Sequence, residues 1–267
     1  MSSIRKFAKL VMPESAHHTL KIWFDPEYRE RCEWERDRTL GKLVYESTGG
    51  VVVGGPFAGL RYVDSVMGSM LAPKLVGTYE QELAPIVEQI VRRGYRTIVN
   101  IGAGEGYYAV GLAKRMPEAR VICFEALDKN RPQIRTLSEL NGVSERVEIR
   151  GHCTAELLAE TLTPGDDVLI VCDVEGAEVE ILNPRIAPGL LKAHLLVEMH
   201  DNDYPGISPE ISRRFGSTHT IEEIWSTPRM ARDWPGGVAV DFKRRAACLD
   251  EGRGSPMSWF WMVTHVR

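Results

Sequence analysis

Two stretches of this chain place acids and a histidine where a buried segment ends. "VCDVEGAEVEIL" (171–182) carries Asp173, Glu175 and Glu178 after an apolar run, and "LLVEMHD" (195–201) carries Glu198, His200 and Asp201 after another. Asp173 interrupts a run that reads as a buried strand, where an unpaired charge is costly. Glu198 and His200, two apart, fall on one side of an extended segment. A neutral imidazole, with a pKa near ~6.5, suits the removal of a proton from a hydroxyl at neutral pH. The other chemistry open to this set is a hard divalent ion such as Mg²⁺, held by Asp173 and His200 with Glu198 or Asp201, that lowers the hydroxyl's pKa. Oxygen-rich clusters at strand ends also arise without metals, so a metal-free base is the expectation and no metal ligand is assigned. Glu178, and to a lesser degree Glu175, is explained by position alone, since acids in a helix's first turn complement its dipole.

A third stretch, "IVNIGAGEGYYAVGLA" (98–113), sets Gly102, Gly104 and Gly106 between an apolar run and a helical one. Such turns usually cradle phosphate on backbone N–H groups. Glu105 puts a negative charge into that cradle. The dinucleotide fingerprint GxGxxG also places its third glycine one residue later than Gly106. A pyrophosphate beside Glu105 would be repelled. Glu125 ends the next apolar run, 19 residues beyond Gly106, where an acid accepts ribose hydroxyls. A nucleoside without phosphate and with a cationic tail satisfies both features, and S-adenosylmethionine is such a ligand. Two other classes stay open: a nicotinamide oxidoreductase on a related sheet, and a binding protein without turnover.

The elements that must position these residues follow from periodicity. Apolar runs without alternation at 97–101, 120–126, 146–151, 167–174 and 193–201 read as strands. Helical stretches at 81–94, 107–116, 130–142, 155–160 and 177–183 separate them, so the pattern is a parallel sheet covered on both faces. Ligands of such sheets bind beyond the strands' C-terminal ends, where strand order reverses, and the strand at 97–101 should stand there. Residues 26–38 read as a charged helix started by Asp25-Pro26. Residues 42–63, with Gly-Gly and Gly-Gly-Pro breaks, read as a meander of short antiparallel strands. Two more strands are expected at 238–247 and 258–266, with a loop at 202–237. The chain thus divides into an N-terminal extension, 1–79, and a ligand-binding domain, 80–267.

The glycine loop resembles the first motif of class I methyltransferases, and Asp173-Val-Glu-Gly-Ala-Glu178 resembles a signature of the FkbM family. "GTYEQEL" (77–83) and "LLVEMHD" (195–201) are also similar to that family. The resemblance covers roughly residues 70–265. It implies a Rossmann-like, seven-stranded, mostly parallel α/β sheet with a reversed final hairpin, and S-adenosylmethionine-dependent methyl transfer, usually to a hydroxyl. By the same resemblance, Gly102, Ala103, Gly104 and Gly106, with Asn100 and Tyr107, lie against the methionine portion. Tyr79 and Glu80 cap that end, Glu80 reaching the α-amino group. Glu125 and Ala126 bind the ribose, and His152 and Cys153 border adenine. Asp173, Glu198 and His200 are the expected catalytic residues, Asp173 also touching the cofactor.

Composition sets the outer limits. With 267 residues, 43% hydrophobic and 26% charged, the chain fits one large α/β domain with a small extension. A net charge of −4 without a basic-aromatic stripe gives no reason to expect nucleic acid. Five cysteines, scattered and without CxxC spacing, suit neither a disulfide framework nor a zinc site. No apolar run spans a bilayer and no signal peptide is legible, so a cytoplasmic protein without a membrane partner is expected. The acceptor is expected to be a small molecule or glycan. Trp23, Trp34, Trp225 and Trp234 could line its pocket, although ordinary packing explains them as well. A homodimer is expected from the unpaired edges of the meander.

Overall fold

A computed structural model describes residues 25–64, 66, 69–162 and 167–265. Trp23, the first 24 residues of the extension and position 266 of the last expected strand lie outside them.

The seven strands are β1 Thr97–Ile101, β2 Arg120–Phe124, β3 Val147–Arg150, β4 Val168–Cys172, β5 His194–Met199, β6 His219–Trp225 and β7 Ser258–Thr264. They form one sheet in the order β3-β2-β1-β4-β5-β7-β6. β1 to β5 run parallel, while β7 pairs antiparallel with both β5 and β6. This is a Rossmann-like α/β sheet closed by a reversed hairpin. Strand order reverses between β1 and β4, so a crevice opens beyond their C-terminal ends.

The strands lack alternation because both faces are covered. Ile98 enters one core and Val99 and Ile101 the other, since successive side chains leave a strand on opposite sides. The helices are α1 Pro26–Thr48, α2 Leu71–Val76, α3 Ala84–Arg93, α4 Tyr107–Arg115, α5 Arg131–Leu140, α6 Ala155–Thr161, α7 Glu178–Ile181, α8 Ile207–Phe215 and α9 Phe242–Leu249. α1 and α2 place Leu40, Val44, Leu71 and Leu75 in the same core as Ile98 and Val110, so the described part of the extension packs against the sheet domain.

Three expectations are corrected. The helix from Pro26 continues to Thr48, and the supposed meander after it contains only the isolated Val51–Arg61 bridge among the described residues. Leu40 and Val44 are four apart and buried, and that packing overrides the β-propensity of "KLVY". Gly49, in the left-handed region (φ 62°), then ends the helix through its N–H to the Tyr45 carbonyl. The meander edges on which the homodimer expectation rests are therefore absent from the described residues. Residues 242–249 form α9 rather than a strand, because the Asp241 carboxylate accepts from the Lys243 N–H and starts a helix that buries Cys248 and Leu249. The loop expected at 202–237 contains α8 and β6. Ile207, Ile211 and Phe215 recur at helical spacing there, all buried.

Candidate active site

The crevice is a cavity of about 830 Å³, and all the residues expected to bind cofactor or do chemistry line it except Gly106. β1 ends in the glycine loop, and each glycine has its own reason. A Cβ on Gly102 (φ +75°) would lie 1.6 Å from the Asp173 carbonyl oxygen, so only glycine lets the β1 and β4 ends cross here. Gly104 (φ +56°) would carry its Cβ into open space. Gly106 (φ +101°) caps α4, packed against Ile134 and Val110.

Glu125, at the end of β2, fastens this loop. Its carboxylate accepts from the Gly104 N–H (2.7 Å), the Leu127 N–H (2.8 Å) and the Asn130 amide (3.2 Å). Two of those donors share Oε1, so the remaining acceptor capacity is on Oε2. Asn100 donates to the Val171 carbonyl (3.3 Å), and its buried Oδ1 has no hydrogen-bond partner. Ala126 and His152 form the exposed rim, while Cys153 is buried and its thiol is pushed up to about 12 by that burial.

Glu105 does not face the cradle as an isolated charge. It is 2% exposed, paired with Lys74 of α2 and hydrogen-bonded by the Tyr62 hydroxyl at 2.5 Å. The Lys74 ammonium also donates to Ser69 (2.7 Å) and lies over the rings of Tyr79 and Tyr107, 4.6 and 5.3 Å from their centroids. The repulsion expected between Glu105 and a pyrophosphate is therefore largely cancelled by Lys74. What opposes a phosphate is the cavity as a whole. Eight acidic side chains line it against two lysines, one arginine and His200, so acidic groups outnumber basic ones and the cavity favours a cationic ligand.

The one arginine is already engaged. Arg253, from the segment between α9 and β7, donates to Glu80 (2.8 Å), Glu198 (2.7 Å) and Glu251 (2.9 Å). Arg229 holds Glu251 from its other side and pairs with Glu82 at 2.7 Å. Glu80 sits in the left-handed region (φ 48°), unusual without glycine, and also accepts from the Tyr108 hydroxyl. Burial, then the nearby charge of Glu198, pushes Glu80 up to about 7 despite Arg253. Burial and Asp173 push Glu198 up to about 8. Asp173 rises to about 7 through burial and the charge of Glu80. Its side chain is 42% accessible, but its Oδ1 is buried among the acids that line the cavity, so the upward direction stands.

His200 differs from its expected state. Its Nδ1 lies 2.6 Å from Glu178 Oε1, and Glu178 is completely buried. Burial alone would lower the imidazole's pKa. The hydrogen bond to Glu178 and the charges of Asp173, Glu178 and Glu198 outweigh it and raise the pKa to about 9. These neighbours favour the charged ring, so the surroundings oppose the neutral imidazole expected at pH 7. Glu178 is more than an acid near a dipole, because it orients His200 and accepts from the Gly176 N–H (3.2 Å). Glu175, left-handed at φ 52°, brings its Oε2 to 3.4 Å from His200 Nε2. Asp201 turns away, accepting from the Gly206 and Ser208 N–H groups at the start of α8.

Sequence reasoning missed Lys74, Tyr108, Glu251 and Arg253. Each has a cavity partner 28 to 173 residues away, and no local spacing marks it. Among the described tryptophans, Trp34, Trp225 and Trp234 lie outside the cavity, and Trp259 lines it instead. All five cysteines are free. No helix among the described residues is long and apolar enough to cross a membrane.

The class this sheet defines is a Rossmann-like α/β fold. Solved structures with a related architecture include a precorrin 8W decarboxylase from Methanobacterium thermoautotrophicum, 18% identical over 76% of this chain and 96% of that one, at a TM-score of 0.48. A precorrin-6y C5,15-methyltransferase from Geobacter metallireducens is 15% identical over 68% of this chain and 87% of that one, at 0.46. An O-methyltransferase from Bacillus cereus, in complex with SAH, is 17% identical over 66% and 78%, at 0.43. No protein-family model matches the chain, and no curated protein matches it.

Proposed function

We propose that this protein is an S-adenosylmethionine-dependent methyltransferase of the FkbM kind, acting on a hydroxyl of a small molecule or glycan. The observation that carries the reading is the acid-rich cavity at the ends of β1, β2 and β4, with Glu125 clasping the Gly104 N–H. A sulfonium and an ammonium are attracted by such a field, and a pyrophosphate is not. Glu125 Oε2 is the acceptor for a ribose hydroxyl. Gly104 leaves room for the ligand to meet backbone. The acids around Arg253 receive the cationic amino-acid end. The motif Asp173-Val-Glu-Gly-Ala-Glu178 supports the family.

Methyl transfer displaces an already activated leaving group, so the protein's work is alignment and removal of one proton. His200, whose neighbours favour its charged form, is the less suited proton acceptor at pH 7. Asp173 and Glu198 are coupled carboxylates raised toward neutrality, and the pair is suited to receive the acceptor's proton.

Calorimetric titration tests the reading. S-adenosylhomocysteine should bind one site per chain, and NADH should not. Absence of S-adenosylhomocysteine binding would overturn it. Transfer of labelled methyl from S-adenosylmethionine into a panel of hydroxylated acceptors then identifies the substrate class.

A further inference from the structure

We propose that Asp173, Glu175 and His200 hold a divalent cation of the Mn²⁺ kind, and that Glu178 positions His200 for it. The ligand atoms of the three residues all lie within 4.8 Å of one another. His200 Nε2 is 3.6 Å from Asp173 Oδ1 and 3.4 Å from Glu175 Oε2. Neighbouring ligands on an ion with bonds of about 2.1 Å stand roughly 3 Å apart, so small side-chain movements close the set.

Three further features point to a ligand at this cluster. His200 is only 3% exposed, and its Nδ1 is committed to Glu178, which leaves Nε2 aimed at the two carboxylates, where a bound ion would replace the Nε2 proton. A metal-binding histidine is normally fixed in this way, with its second nitrogen on a carboxylate. Asp173 Oδ1 is buried without a hydrogen-bond partner. The other buried acids facing the cavity are matched: Glu105 by Lys74, Glu80 and Glu198 by Arg253, Glu251 by Arg229 and Arg253, and Glu125 by backbone N–H groups. Among the described residues, the ion pairs of Asp173 and Glu175 are with His200 alone.

The residue types choose the ion. Two carboxylates with one imidazole suit Mn²⁺ and its neighbours better than Mg²⁺, which favours oxygen throughout. Glu175 is 83% exposed, so the site opens to solvent on its side and keeps positions free. Resting on the methyl-transfer reading, the inference narrows the acceptor to one whose hydroxyl can join those free positions. Asp173 then serves as a ligand.

The test is a Mn²⁺ titration of EDTA-treated, dialysed full-length protein, followed by loss of the free-ion electron paramagnetic resonance signal. One Mn²⁺ per chain is expected, bound at least tenfold more tightly than competing Mg²⁺. Glu175→Gln and Asp173→Asn should each weaken binding tenfold or more. Glu178→Gln, which touches no ion, should weaken it about 10–100-fold through loss of orientation. Glu178 is buried and its variant can fail to fold, so Glu175→Gln, exposed and foldable, is the deciding one. Absence of a Mn²⁺ site in the wild type, or unchanged affinity in folded Glu175→Gln, overturns the proposal. S-adenosylhomocysteine titrated into the same samples separates the two readings: protein that binds it but takes up no Mn²⁺ overturns the ion site alone, and protein that does not bind it overturns the methyltransferase.

Discussion

Replacing Lys74 with methionine tests how the glycine loop is held. Lys74 and Glu105 have side chains only 5% and 2% exposed, and they form a direct ion pair between α2 and the loop after β1. Removing one partner of a buried pair leaves the other charged and uncompensated, at a cost of about 3–5 kcal/mol. Tyr62 still donates to Glu105 in Lys74→Met, which places the expected loss near the lower end, about 3 kcal/mol. Glu105→Gln should cost less, about 2 kcal/mol, because Lys74 keeps Ser69 and the faces of Tyr79 and Tyr107. With both charges gone nothing is left uncompensated, so Lys74→Met/Glu105→Gln should fall short of the sum by about 2 kcal/mol. Urea unfolding at pH 7 measures all three variants against the wild type, with constant slope as the check on two-state behaviour. S-adenosylhomocysteine affinity, taken in parallel, should drop most in Lys74→Met, where the loop loses its anchor. Strict additivity, or a Lys74→Met protein within 1 kcal/mol of wild type, would refute the account of this loop (~1 kcal/mol being ordinary for a surface change).

Gly102→Ala should prevent normal folding, because its Cβ would meet the Asp173 carbonyl at 1.6 Å, whereas Gly104→Ala, with no atom within 4 Å, should lose only about 1–2 kcal/mol to its left-handed backbone. Thermal melts of the pair decide it, and equal melting temperatures would contradict the geometry. Glu125→Ala should weaken S-adenosylhomocysteine binding by about 1–3 kcal/mol, read by calorimetry, since it frees the Gly104 N–H and removes the ribose acceptor. His194 gives a pH-dependent signature: burial, then the charge of Arg93, lowers its pKa from 6.5 to about 4, and its Nδ1 lies 2.6 Å from the Tyr95 hydroxyl. Between those values the unfolded chain binds the extra proton, so this contribution is complete above pH 6.5 and is lost as pH falls toward 4, up to about 3 kcal/mol. His194→Phe should flatten the wild-type fall in unfolding free energy across that window, and an unchanged slope would remove His194 as its source.

Residues near one another in sequence determined much of this protein by themselves. β1 was legible to the residue from "TIVNI", and the parallel order followed from apolar runs divided by helices, because a strand buried on both faces needs no alternation. The turn at the glycine loop and the place of Glu125 just after β2 were legible for the same reason, since both are local features of a strand end. The reading failed where a distant partner decides a local outcome. "KLVY" has β-propensity, yet it is helical because Leu40 and Val44 find a core to enter. Glu105 read as a bare charge because Lys74 stands 31 residues away on a short helix with no functional mark. The surroundings of His200 were not legible either, because a histidine's protonation is set by what stands around it. Only the folded chain brings Glu178, 22 residues back, onto its Nδ1 and sets Asp173 and Glu175 before its Nε2. Charge acts through space, and in a parallel sheet the ends of β4 and β5 become neighbours only when the strands align.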